Sequence, residues 1–200
     1  TIDPAGASTP VPARSGRVHL QAITRQILTA LSHPIEGRAD LALGIRRITA
    51  TARRRGLIVI VSDFLGPEDW SHDLRALALR HDVLCVEVLD PLEVALPDVG
   101  MLTVRDVATG AELDVATGNP RLRARYAEAA TAQRARIAAG IRRAGADHLQ
   151  LRTDRDWLLD LASFVAGRRD RIDAQSRAAS HGSGDVDALG GSRLTTGVPR

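Results

Sequence analysis

The sequence predicts an α/β domain built on a mostly parallel sheet, with an added β-hairpin. Three observations carry this. The apolar run Leu57 to Val61 is followed by a helical segment over 68–80 and a second apolar run over 83–89. This is a strand, crossover helix, strand unit, and such units join parallel strands with right-handed connections. A further strand-like segment, "DHLQLRT", follows the longest helical pattern, 119–144. Between these, "MLTVRDVATGAELDV" alternates on both sides of a Thr-Gly turn, the pattern of a hairpin.

Taken in order, residues 1–16, "TIDPAGASTPVPARSG", read as an extended Pro-rich segment, because Pro4, Pro10 and Pro12 each remove a backbone donor. Leu20, Ile23, Ile27, Leu28 and Leu31 stand at helical spacing and predict a helix that stops at His33-Pro34. Leu41, Ile45, Ile48 and Ala52 mark a second amphipathic helix. It is expected to run into "ARRRG", where the arginines complement the helix dipole and Gly56 ends the helix. "LIVIV" is apolar on both faces and reads as a central parallel strand. In the long helix, Leu122, Tyr126, Ala130, Ile137 and Ile141 lie along one stripe. "TDRDWLLDLASFVAG" predicts a last helix with a Thr153/Asp156 capping pattern. Everything after Gly167 is polar, Gly/Ser-rich and aperiodic, the composition of a disordered tail. The expected organisation is therefore a segment 1–16, a domain 17–167 and a tail 168–200.

Composition narrows the function. With 200 residues, 44% of them hydrophobic, the chain can bury one core. Its longest apolar run is far shorter than the ~20 residues of a membrane span, and its start has no signal-peptide pattern. A single cysteine, Cys85, sits inside a predicted strand, which fits a reducing cytoplasm. The pI of about 10.2 suggests nucleic acid, but the charge is poorly placed for that role. Residues 1–167 hold 21 Arg against 20 Asp+Glu, so the predicted folded part is nearly neutral. Aromatic residues make up only 2% of the chain, too few for a base-stacking platform. No nucleic-acid partner and no membrane segment are expected.

Candidate site residues gather where the predicted parallel strands end. Asp63 follows one strand and Asp90 the next, so both belong to the rim on which open α/β sheets bind ligands. Ser62 and Glu93 flank them. Asp63 also suits a turn before the next helix, and Asp90-Pro91 is ordinary turn chemistry. Glu87, inside "VLCVEVLD", is expected to face a polar partner or the rim, because an unpaired buried carboxylate is costly. The histidines show no metal-ligand spacing, and nucleophile-elbow, P-loop and dinucleotide motifs are absent. No catalytic residue is assigned.

"RRRGLIVIVSDFLGPEDW", "RHDVLCVEVLDPLEVALPDVGMLTVRD", "TGAELDV" and "ADHLQLRTDRDWLLDLASFVAGRR" carry a resemblance. They resemble the carboxyl-terminal region of a bacterial family, domain of unknown function fifty-eight. That family has a von Willebrand factor A-like fold and is commonly encoded beside MoxR-type AAA+ ATPases. The resemblance implies a doubly wound sheet, here lacking its first strands, and a non-enzymatic interaction module serving a MoxR-type ATPase in protein-complex assembly or maturation. It also implies a rim that holds Mg²⁺ in complete homologues through an Asp-x-Ser-x-Ser loop, a Thr and a later Asp. Asp63 matches that later Asp. Ala39 stands where the Thr is expected, and the Asp-x-Ser-x-Ser loop is not found before Asp63. No cofactor is therefore expected in this chain, and the first strand would lie upstream of Thr1. Without it, the predicted strands 83–89 and 147–151 fall on one side of "LIVIV", whose other edge is left bare. The alternative class is a metal-dependent hydrolase using Asp63, Asp90 and Glu93 as ligands.

Overall fold

Thr117 and Glu87 are fully buried polar residues, and each ties elements of the chain together. The computed structural model describes residues 11–32, 40–106 and 109–168. The chain divides into two compact units, Thr1–Arg155 and Asp156–Arg200. In the first unit, helices α1 (Arg17–Leu31) and α2 (Leu41–Thr51) precede strand β1 (Leu57–Ser62), helix α3 (Trp70–Ala78) and strand β2 (Asp82–Leu89). A 3₁₀ turn (Pro91–Glu93) leads to strands β3 (Met101–Arg105) and β4 (Glu112–Ala116), helix α4 (Pro120–Ala144) and strand β5 (Asp147–Arg152).

The fold is mixed α/β. β1, β2 and β5 form a parallel sheet in the order β1-β2-β5, while β3 and β4 form a separate antiparallel hairpin. Local sequence chemistry sets the element ends. Asp40 caps α2 by accepting the Leu43 N–H at 2.7 Å. Asn119 caps α4 at 3.0 Å from the Arg121 N–H, with Pro120 opening the helix where no donor is needed. Gly145, at φ 82, ends α4 in the left-handed region and lets the chain turn directly into β5.

The main core lies on one face of the sheet. Side chains alternate along a strand, so Ile58 and Ile60 of β1 share a face with Val83 and Cys85 of β2. Against that face pack Ala42 and Ile45 of α2, Trp70, Leu74 and Leu77 of α3, and Ile137, Ile141 and Ala144 of α4. Each large aliphatic side chain buried in this way contributes about 1.5–3 kcal/mol. α4 approaches α3 closely at Gly140, where an added Cβ would come within 3.2 Å of the Trp70 ring. The hairpin is tied down at its base. The Thr117 hydroxyl donates to the Gly100 carbonyl at 3.1 Å and accepts the Val99 N–H at 3.3 Å, while Arg123 donates to the Thr117 carbonyl.

Two expectations are corrected, for α2 and for Thr153, and one is met at β1. α2 stops at Thr51, so Arg53 to Arg55 lie beyond its last turn and do not complement its dipole; the backbone leaves helical geometry at Ala52, ψ 88, to enter β1. β1 is an edge strand among the described residues, and β2 is the centre. Both other parallel strands fall on one side of β1, as expected, and Leu57, Val59 and Val61, which alternate with the core-facing Ile58 and Ile60, are 55%, 49% and 65% exposed. Thr153 does not cap the last helix. Its N–H extends β5 by donating to the Leu89 carbonyl at 3.0 Å.

In the second unit a helix covers 157–168. The Asp156 carboxylate caps it, accepting the Leu158 and Leu159 N–H groups at 3.1 and 3.4 Å. Among the described residues no helix is long and apolar enough to cross a membrane. Of the expected extended segment 1–16, residues 1–10 lie outside the described residues, and of the expected tail 168–200, all but Arg168, which belongs to the helix over 157–168, lie outside them.

Candidate functional site

Because β1 and β2 are parallel and in register through Ser62↔Glu87, the turns that follow them emerge on one rim. The first turn is built by its own side chains. The Ser62 hydroxyl accepts the Phe64 N–H at 3.1 Å, and Asp63 Oδ1 accepts the Leu65 N–H at 3.1 Å. Between them Phe64 adopts φ 56, a left-handed conformation unusual for a bulky residue. It is held there by its ring, 1% exposed and edge-on to Trp70 with centroids 5.4 Å apart. Asp63 itself is exposed.

The second turn follows β2. Asp90 Oδ1 accepts the Leu92 N–H at 2.8 Å, capping the 3₁₀ turn, and Oδ2 lies 3.5 Å from the Thr153 hydroxyl, at the outer limit for a hydrogen bond. Tyr126 of α4 donates its hydroxyl proton to the Leu92 carbonyl at 3.0 Å. Glu93 points inward, its carboxylate 2.6 Å from Arg134 Nη2.

Arg134, on α4, lies beneath both turns. Its Nη1 donates to the Asp63 carbonyl and to Glu87 Oε1, each at 2.9 Å. Glu87 is fully buried at the centre of the sheet. Its other oxygen is met at 2.8 Å by both His148 Nε2 and Gln150 Nε2 of β5. The register explains the meeting, because Glu87 pairs with Gln150 and Cys85 with His148 on the core-facing side.

The electrostatics follow from these contacts. Burial alone raises the Glu87 pKa, but hydrogen bonds from His148, Gln150 and Arg134 outweigh it and lower the value, holding the group as a carboxylate. An ionised carboxylate only accepts, so His148 carries a proton on Nε2. Glu93 shifts the other way. Burial raises its pKa, the Arg134 charge opposes this, and the nearby Asp63 charge adds to it. Tyr126 is raised by burial and by the charge of Glu93.

The structure thus places the four sequence-predicted site residues Ser62, Asp63, Asp90 and Glu93 on one rim, and Arg134 joins two of them. Glu87 faces polar partners, three of them. Ala39 lies outside the described residues. Arg134, His148 and Gln150 were missed from sequence. One signal for Arg134 was available: it interrupts the apolar stripe Ala130, Ile137, Ile141 at helical spacing.

The rim does not fit a magnesium site. Mg²⁺ wants about six oxygens in octahedral array, and among the described residues no group of three or more His, Cys, Asp or Glu side chains could hold a metal ion. Glu93 is paired with Arg134, and one Asp63 oxygen already takes the Leu65 N–H.

Uncharacterized proteins of Mycobacterium tuberculosis and Mycobacterium bovis are each 50% identical to this chain over 163 residues, 82% of it and 51% of their own length. An uncharacterized protein of Mycobacterium avium is 48% identical over 161 residues, 80% of this chain and 95% of its own. The chain spans about half the length of the tuberculosis and bovis relatives. No solved structure matches it. The family model described as "Protein of unknown function DUF58" matches residues 4–136, and the chain belongs to that family.

Proposed function

We propose that this chain is a non-enzymatic protein-interaction module with a von Willebrand factor A-like fold, and that it serves a MoxR-type AAA+ ATPase in the cytoplasm as partner or adaptor in protein-complex assembly or maturation. The observation that carries the reading is the Asp63 turn. It stands at the carboxyl end of a parallel strand, where open α/β sheets receive ligands. Its carboxylate is exposed while its backbone is held by Ser62, Phe64 and Arg134. A charge presented on held backbone suits recognition, because little ordering entropy is lost on contact. Mg²⁺ belongs, in this reading, to complete homologues that carry the Asp-x-Ser-x-Ser loop.

The hydrolase reading has less support. Of its three carboxylates, Glu93 is occupied by Arg134 and Asp90 caps the turn at Leu92.

The test is capture of a purified MoxR-type ATPase by the complete protein and by its Asp63→Ala variant. Loss of capture with an unchanged melting curve supports the reading, since a loop substitution disturbs little packing. Capture unaffected by the substitution moves the interface elsewhere. Hydrolysis of phosphoesters or peptides that depends on Asp63 would favour the enzyme.

A further inference from the structure

The rim consists of two turns from different strands, and one side chain from a third element touches both. Arg134 donates to the main-chain carbonyl of Asp63 at 2.9 Å and to the carboxylate of Glu93 at 2.6 Å. The guanidinium is planar, with its donors in a rigid fork, so the spacing of its acceptors follows the cation rather than the flexibility of each turn. The cation is itself fixed. Only 10% of its side chain is exposed, and Glu87 grips it from the sheet at 2.9 Å while His148 and Gln150 hold the far oxygen of Glu87.

The contact to Asp63 is to the backbone, not to the carboxylate. An ion pair with the Asp63 side chain would neutralise the exposed charge. A bond to the carbonyl fixes the turn and leaves the carboxylate facing outward. The Glu93 contact does the same for the second turn, whose other tie to α4 is the Tyr126 hydroxyl on Leu92.

We infer that Arg134 is the positioning residue of the rim: it sets the Asp63 turn and the Glu93 turn in one fixed arrangement, so that a partner meeting one segment meets both. This rests on the interaction reading for its purpose, but its test does not need the partner. Backbone ¹⁵N relaxation is measured on the 200-residue chain, on Arg134→Lys, and on the double variant Glu87→Gln/Arg134→Met. The double variant leaves no unpaired charge at the fully buried position 87, while Glu93, 30% exposed, loses its cation. The lysine variant keeps the cation near Glu87 but loses the fork, so a fold failure of one still leaves the other.

Order parameters at Phe64, Leu65, Leu92 and Glu93 are expected to fall from about 0.85, typical of rigid backbone, to below about 0.6. Those of Val83 to Val86 in β2 are expected to stay unchanged. Rigid turns in both variants overturn the inference. So does loosening that reaches β2 to the same extent, which would make Arg134 a core-packing residue and nothing more. Each of these outcomes holds whether or not an ATPase binds.

Discussion

Arg134 and Asp63 are 71 residues apart in the chain, yet the guanidinium of one donates to the backbone carbonyl of the other at 2.9 Å. The same cation neutralises a fully buried glutamate, so Arg134 is at once a stability residue and a rim residue. The two roles separate experimentally, because stability depends on the Glu87 charge and rim order on the fork.

Arg134→Met alone is expected to destabilise the chain by about 3–5 kcal/mol, because it leaves the Glu87 carboxylate buried without its cation. Adding Glu87→Gln should recover much of that loss, since the amide needs no counter-charge. Urea denaturation of the two single variants and the double variant checks this as a thermodynamic cycle. Additive losses would show that the pair is uncoupled.

The two glutamates predict opposite pH dependences. Glu87 has a folded pKa below its ordinary 4.5, so its stabilisation is present above that pH and is lost as pH falls through the lower folded value. Glu93 has a folded pKa above 4.5, so its protonated form is favoured on folding. That contribution is present below 4.5 and is lost as pH rises through the higher folded value. Glu93→Gln should therefore remove a fall in stability on the alkaline side of 4.5, and Glu87→Gln a fall on the acid side. Unfolding free energies measured from about pH 3 to pH 7 distinguish the two.

Cys85 is fully buried in β2, and desolvation raises its thiol pKa to about 12. Because the thiolate is the reactive form, the folded chain should react negligibly with a thiol reagent at neutral pH. One equivalent should react on unfolding in urea. Rapid labelling of the native chain would show that β2 opens locally.

His81 is 4% exposed, and neither ring nitrogen has a hydrogen-bond partner among the described residues; the buried Trp70 indole nitrogen is in the same position. An unsatisfied buried polar group costs about 1–3 kcal/mol. His81→Leu should therefore be neutral or raise stability by about 1 kcal/mol, unlike most core substitutions. Thermal melting at matched pH measures it, and a loss beyond about 1 kcal/mol would mean that the imidazole is satisfied in solution.

Local chemistry alone determined much of this protein. The elements from β1 to β5 follow from apolar periodicity, from caps such as Asn119 and Gly145, and from the Thr-Gly turn, because each depends on neighbours within a few residues. The placing of Asp63 and Asp90 on one rim was legible too, since parallel strands put their carboxyl ends on one side. The tertiary structure decided what these groups touch. Whether β1 is central or at an edge depends on how many strands align beside it, which no property of "LIVIV" encodes. Glu87, Arg134, His148 and Gln150 meet because strand register and the rotation of α4 bring together residues far apart in the chain. The sequence shows Glu87 and Arg134 set among apolar residues, but not which groups they meet. Their charges match only within the folded interior, where low dielectric makes an unmatched charge costly.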